Sequence, residues 1–591
     1  MRLLLAALIV VSAGACSPAW AHVSGYAPVR GGQCDSPGYS PADQPPFGGE
    51  IAALSRPLPP SARPPGFRLT AGQATAIATE SLTPGGSVRR FEARTRTGPG
   101  AVRQWQVDYF DPSGRDVGQV VIDDAGVCAV ETWTGTQVDT KLARGYQGAV
   151  AGKVNKWWIW LPLCVLFLVP FVDPRRPLRL IHLDLLALLA FSASLFFFNK
   201  AMIELSVGLV YPVLAYVFLR MLIAGFMPSE SRERLLPFAP RGLLVAGIVA
   251  LVAFHTAYVA TEGKVIDVGL AGVIGADRLT HGDDVYGEGS SSGMPIRGDV
   301  YGPVNYIAYV PFELALPWSG HWDDVSAARA AALAFELLTA LALYLLGCRL
   351  GTPWPLRWWQ INTFRPPPRG PTEEGRTLGV SLAYAWLAYP FTMYSLGSSF
   401  NDGLVALLVV CCLLVATAPG RGVTSALAGL TKFGPLILAP LLAAGTGDRR
   451  IRPLLLFGAA FLITTAVVTL PLLPDGGFRE LYDRSLGYQA SRGSPFSLWG
   501  QAPSVHWLQT MTKVGAVALA VGLFFVPRRR SSVQLAALGA ALLIAVQVTA
   551  NHWFYPYTLW FAPLVLVAVF ARQRGPEPVV HRDLRATAPH L

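Results

Sequence analysis

The chain has 591 residues, 52% of them hydrophobic and 14% charged, with a mean hydropathy of +0.41. A soluble globular chain carries about 25% charge, and apolar runs of roughly 18–20 residues, each able to cross a bilayer core of about 30 Å, recur here. The net charge of +11 does not mark a nucleic-acid binder, because the arginines cluster in short loops between apolar runs, as cytoplasmic loops do.

The opening segment "MRLLLAALIVVSAGACSPAWA" reads as a secretory signal peptide over 1–21, with Ala19-Trp20-Ala21 as the cleavage site. Cys16 makes a poor lipobox, since Ala13 stands where Leu is usual. Residues 22–68 ("SPADQPPFGGE", "RPLPPSARPPG") are rich in proline and glycine and read as an extended linker. Over 69–150 the pattern changes. "TAGQATAIATESL" predicts a threonine-capped helix, and the alternating segments "SVRRFEAR", "RQWQVDYFD", "DVGQVVIDD" and "VCAVETWTG" predict a small antiparallel sheet. Cys34 and Cys128 both lie in this exported part, where an oxidising compartment lets them pair. Cys164, Cys348, Cys411 and Cys412 lie in or beside apolar spans without metal-ligand spacing and read as packing residues.

Spans follow from placing every arginine-rich loop in the cytoplasm. Three accessory spans (157–172, 180–198 and 205–224) occupy 151–240, and the main bundle occupies 241–571. The span 243–260 exits, which places "GKVIDVGLAGVIGADRLTHGDDVYG" (263–287) outside. The segment 303–317, broken by Pro303, Pro311 and Pro317, lies along or dips into the outer interface, so that 326–347 descends and the arginine loop 348–377 stays inside. The run "GVTSALAGLTKFGPLILAPLLAAG" has cytoplasmic flanks at both ends, which predicts a broken hairpin turning at Gly434-Pro435 with Lys432 near the outer half of the membrane. The tail 572–591 is cytoplasmic. The fold expected is an α-helical polytopic membrane protein of about 11–13 membrane segments with a small α+β extracytoplasmic N-terminal domain.

"LTAGQATAIA … WQVDYFDPSGRDVGQVVIDDAGVCAVE" resembles a PepSY-type domain over about seventy residues, which implies a binding or regulatory module. Further on, an acidic loop after a span, then "VYGPVNY", "GSSFNDGLVALLVV", the broken hairpin and "NHWFYPYTLWFAPL" occur in order. Over 241–571 this resembles the GT-C superfamily of polyprenyl-phosphate-dependent glycosyltransferases, its bacterial mannosyltransferase-like branch; the first proline of the family's Tyr-Pro-Pro-Leu-like element is here Gly302. The resemblance implies a multi-pass enzyme of the bacterial plasma membrane with its active site outside. Such an enzyme inverts configuration as it moves a mannose-like sugar from a lipid-linked donor to a glycan, glycolipid or protein acceptor. Membrane lipids surround it, and no nucleic acid, separate cofactor or metal is required.

The resemblance makes Asp267 the general base, a carboxylate taking the acceptor hydroxyl's proton; the competing reading is a cap on a helix 268–280. Substrate contacts expected are Asp283, Asp284, Tyr286, Tyr301, Asn401, Asp402, Lys432, Arg492 and His552. The first two also read as solvated loop acids before a Tyr-Gly turn, and Asn401-Asp402 as a helix cap. Lys432 reads as a phosphate ligand or a snorkelling side chain, Arg492 as a solvated loop cation, and His552 as an interfacial anchor. Asp277 is expected on a solvated helix face, and Glu336, in mid-span, to pair with Arg329. The alternatives are a polytopic transporter, or a membrane sensor or regulator built on the exported domain.

Overall fold

The computed structural model describes residues 53–55, 57–82, 88–97, 103–112, 116–134, 150–199, 203–227, 237–286, 299–319, 325–351, 371–446, 451–491 and 496–571. The signal peptide, Cys16, Cys34, Arg492 and the tail 572–591 lie outside them.

The N-terminal unit is a five-stranded antiparallel meander with one helix on it. Its elements are β1 (Ala53–Leu54), α1 (Ala71–Ser81), β2 (Arg90–Thr97), β3 (Gln104–Phe110), β4 (Asp116–Asp123) and β5 (Cys128–Thr134), paired in the order β1-β2-β3-β4-β5. Thr70 caps α1 through a reciprocal box. Gln73 N donates to Thr70 Oγ1 at 3.2 Å, and Thr70 N to Gln73 Oε1 at 2.9 Å. The period-2 alternation of β3 puts Trp105, Val107 and Tyr109 against the buried alanines of α1. Buried Asp124 accepts from Arg68 N, Leu69 N and Trp105 Nε1 and so pins the chain entering α1 to the sheet. The linker expected over 22–68 is shorter than its composition suggests: Ala53–Leu54 pairs with β2 and Leu58 bridges Ala93. Proline-rich chain suits a sheet edge, where a missing N–H costs no ladder bond. Cys128 is disulfide-bonded, to a cysteine outside the described residues.

The rest is helical: α2 (Trp157–Leu168), α3 (Leu180–Phe198), α4 (Ile203–Phe226), α5 (Arg241–Glu262), α6 (Asp267–His281), α7 (Pro303–Ala315), α8 (Ser326–Leu350), α9 (Glu373–Ala388), α10 (Pro390–Leu396), α11 (Asp402–Leu414), α12 (Ala418–Thr431), α13 (Ala439–Ala444), α14 (Ile451–Thr469), α15 (Gly477–Tyr482), α16 (His506–Phe525), α17 (Ser532–Thr549) and α18 (Thr558–Phe570), with short turns between. Among the described residues seven helices (α3, α4, α5, α8, α14, α16 and α17) are long and apolar enough to cross a membrane, which is compatible with a multi-pass membrane protein.

Accessory and main segments share one hydrophobic core. Tyr555 Oη sits 2.8 Å from both Ser194 Oγ and Ser206 Oγ, and Gln534 Nε2 donates to Gly225 O at 2.8 Å. Tyr555 is a buried tie between α3, α4 and the approach to α18.

Neither described helix between α5 and α8 is long and apolar enough to cross a membrane. α6 and α7 have 15 and 13 residues, about 22 and 20 Å at 1.5 Å per residue, and they pack on each other. A Cβ at Gly272 or Gly275 would stand 2.7 Å or 2.1 Å from the rings of Tyr309 and Tyr306, so small residues on α6 admit the tyrosines of α7. The expected hairpin exists as a fold back on itself. Arg421 Nε near the start of α12 donates to Leu442 O near the end of α13 at 3.1 Å. Its break comes earlier than Gly434-Pro435: Lys432 is already extended (φ −139°, ψ 132°), and Gly434–Leu438 forms a 3-10 turn. Proline at 435 disfavours helical geometry in the residue before it, so the helix stops upstream.

Candidate functional site

The break in the hairpin carries a buried ion pair. Lys432 Nζ donates to Asp402 Oδ1 at 2.8 Å, and Trp560 Nε1 donates to the same oxygen at 2.6 Å. The rings of Tyr301, Tyr557 and Trp560 surround the ammonium, with centroids 5.8, 5.4 and 5.8 Å away. Aromatic faces stabilise a cation that has left water. The Lys432 side chain is 11% exposed and Asp402 is fully buried, so each charge depends on the other. Asp402 Oδ2 has no hydrogen-bond partner.

Gly302 brings Tyr301 to this lysine. Gly302 N donates to Thr431 O at 3.2 Å, and a Cβ at 302 would lie 1.9 Å from Leu430 O. The residue at the first proline of the resembled element therefore has to be glycine, because the start of α7 rests on the end of α12. Next to it, Asn401 Nδ2 donates to Asn305 Oδ1 at 2.6 Å. Tyr309, one turn beyond Asn305, has a buried hydroxyl without a partner. Burial, and then the Asp402 carboxylate, push that hydroxyl above its usual 10 and keep it protonated.

Asn401 and Asp402 open α11, yet no side chain caps that helix, so capping does not account for them. Asp267 is the first residue of α6, and the cap position is Ile266, whose side chain cannot accept a hydrogen bond. The Asp267 side chain lies outside the described part, but its main chain is held at this corner. Lys264 N donates to Gly397 O at 3.0 Å, Ser399 Oγ to Lys264 O at 3.1 Å, and Gly269 packs against Ser399 O. The start of α6 and the start of α11 thus meet.

Asp283 and Asp284 are exposed after Gly282, which ends α6 at φ +79°. Their main chain is bound at Arg278, through Asp283 N to Arg278 O at 2.9 Å and Arg278 Nη1 to Asp284 O at 3.0 Å. Asp277 is half-buried and meets His281 one turn on, its carboxylate 3.3 Å from Nδ1. Tyr286 is buried and donates to Tyr301 O at 2.8 Å, and burial pushes its hydroxyl well above its usual range. His552 is half-buried, and its ring lies 6.3 Å from that of Tyr557, which faces the lysine. The structure therefore brings together Tyr301, Asn401, Asp402 and Lys432, sets Tyr286 and His552 one contact away, and leaves Asp283 and Asp284 at the surface.

Sequence reasoning passed over several residues. Trp560 stands inside a quoted run, and its role depends on an oxygen 158 positions away. Asp299, beside Tyr301, is buried and pairs with Arg484 at 2.8 Å, which also bonds Glu480 at 2.6 Å and so holds that acid below its usual range. The cue was an acid two residues before the tyrosine. Glu336 does not pair with Arg329. Its partner is His255 on α5, both side chains being buried, because the facing helix presents a closer base than the same helix can.

Among the described residues no cluster of three or more metal-ligating side chains forms. The chain matches no protein-family model and none of the curated proteins.

Proposed function

We propose that this protein is an integral membrane glycosyltransferase that moves a hexose from a polyprenyl-phosphate donor to an extracytoplasmic acceptor. The observation that carries the reading is the Lys432–Asp402 pair inside its aromatic frame, at the break of a folded-back hairpin and beside the helix that Asp267 opens. An ammonium has three N–H donors; Asp402 takes one and orients the others toward a phosphate. Aromatic faces suit the C–H face of a sugar, and a break in apolar helices suits a donor with a polar head and a lipid tail.

In the reaction the acceptor oxygen bonds to the anomeric carbon as that carbon's bond to the phosphate oxygen breaks, its electron pair leaving on polyprenyl phosphate. The hydroxyl proton passes to the Asp267 carboxylate, and the configuration inverts. Lys432 stabilises charge gathering on the leaving phosphate. The arginine bias supports an extracytoplasmic side for the loops holding 263–302 and 473–505.

The test is transfer in proteoliposomes with polyprenyl-phosphate hexoses and a glycolipid acceptor, read by mass spectrometry. Wild-type protein is expected to form product, and Asp267→Asn to lose about 100-fold or more, in line with removing a general base. Full activity in Asp267→Asn overturns the base assignment. Absence of transfer from every hexose donor overturns the enzyme reading. A transporter reading draws on the buried His255–Glu336 pair, since ionisable residues in mid-span mark ion paths, and predicts substrate flux without product.

A further inference from the structure

Tyr301 is one of the three rings around the Lys432 ammonium, and its main chain is held on both sides. Tyr301 N donates to Tyr306 Oη at 3.2 Å, and Tyr286 Oη donates to Tyr301 O at 2.8 Å. One residue on, Gly302 N reaches Thr431 O at the end of α12, at 3.2 Å. Two residues before Tyr301, the partner comes from far along the chain. Asp299 is buried, and Arg484 Nη1, 185 positions away, donates to its Oδ2 at 2.8 Å. Arg484 Nε donates to Glu480 Oε1 at 2.6 Å.

Arg484 lies between α14 and α16, just after α15, in a π turn over Asp483–Gly487. Helices keep such wide turns mostly at functional sites. The same segment seats Leu481 on the cluster of Val285, Tyr286 and Tyr306. It therefore meets the stretch around Tyr301 twice, once through an apolar side chain and once through charge. The two acids that Arg484 binds would respond differently to its loss. Glu480, with its side chain 27% exposed, can turn to water in place. The Asp299 side chain is 3% exposed. A buried carboxylate without a partner is strongly disfavoured, and it relieves that by moving to water. Asp299 is within about 7 Å of chain from Tyr301, so its movement draws Tyr301 off the ammonium. We infer that Arg484 is a positioning residue: it holds Asp299, and through Asp299 it keeps the Tyr301 ring against Lys432. The inference rests on the glycosyltransferase reading for what the lysine meets, not for the placement of the ring.

The test is acetylation of Lys432 by N-hydroxysuccinimidyl acetate in the purified full-length protein, followed by mass spectrometry, with Lys264 and Lys513 as internal references. Arg484→Ala is expected to raise the Lys432 rate relative to both by about 5-fold, the size of one cation–π contact. Tyr301→Ala should raise it equally, and the two together no further, because both act through one ring. An unchanged rate, an equal rise at all three lysines, or additive rises overturns the inference. Adding Asp299→Asn to Arg484→Ala should bring the rate back to within about 2-fold of wild type, since no acid is then stranded; persistence of the full rise overturns the route through Asp299. Where Arg484→Ala does not fold, Arg484→Lys carries the comparison, with a smaller rise expected and no rise overturning it. In a protein that transfers, Arg484→Ala should also raise the donor KM about 5-fold, and an unchanged donor KM overturns the inference. A Lys432 response without transfer from any donor defeats the glycosyltransferase reading and leaves the positioning role standing.

Discussion

The Asp184–Arg220 and Asp402–Lys432 ion pairs are both buried in this bundle, and they are built differently. In the accessory spans, Asp184 accepts from Tyr216 Oη at 2.8 Å and Arg220 Nε at 2.8 Å through Oδ1, and from Arg220 Nη2 at 2.6 Å through Oδ2. Both oxygens are used and the guanidinium is bound as a fork, the geometry that best offsets desolvation. In the main bundle, Asp402 loads one oxygen twice and leaves the other bare, while Lys432 is ringed by three aromatic faces. The first pair is complete and holds α3 to α4. The second is complete in charge and incomplete in hydrogen bonds, since Asp402 Oδ2 has no partner.

The contrast breaks if the two pairs respond alike to removal. Replacing a whole buried pair by apolar residues of similar volume is often neutral for stability, so paired substitutions separate the roles. Lys432→Met with Asp402→Leu is expected to leave a folded protein, seen by melting and gel filtration, whose transfer is at least about 100-fold down, the scale of losing one preorganised electrostatic group. Asp184→Leu with Arg220→Met is expected to keep both. Transfer lost equally in the two pairs would assign both to structure.

Next in size is the single substitution Arg220→Ala, which strands a buried carboxylate and should cost about 3–5 kcal/mol, read as a lower melting temperature with unchanged transfer per folded molecule. Smaller is Tyr555→Phe, which removes the hydroxyl shared with Ser194 and Ser206. It should cost about 1 kcal/mol and loosen α3 and α4 without touching Lys432; hydrogen exchange on those helices checks it. The smallest effect concerns His281 at the exposed end of α6. Its hydrogen bond to the Asp277 main chain, and then the Asp277 carboxylate, raise its pKa above the usual 6.5. The folded pKa lies above the unfolded one, so the contribution to the helix end is complete below pH about 6.5 and fades as pH rises through the folded value. An NMR titration should find that elevation, and Asp277→Asn should reduce it.

The local features of the site were legible in the sequence. Lys432 between an apolar helix and Gly434-Pro435 signals a charged break, and Asn401-Asp402 at the head of an apolar run signals polar groups at a span end. The partnership between them was not, because 30 residues separate Asp402 from Lys432 and 158 separate it from Trp560. The same applies to Glu336, for which the nearest cation in the chain, Arg329, was chosen over His255, which lies 81 positions away on a facing helix.

Composition and patterning by themselves determined the mostly helical character with recurrent membrane-length apolar helices, the α1-plus-sheet order of the N-terminal unit, the short helices α6 and α7, and the broken hairpin. Each of these depends on periodicity, length or proline within a window of about twenty residues. Tertiary structure alone decided that Gly302 must be glycine, that Asp402 and Lys432 are one unit, and that Tyr555 ties the accessory spans down. Those facts depend on which helix faces meet, and burial energies summed over the whole bundle set the meeting, so no local stretch of the chain records it.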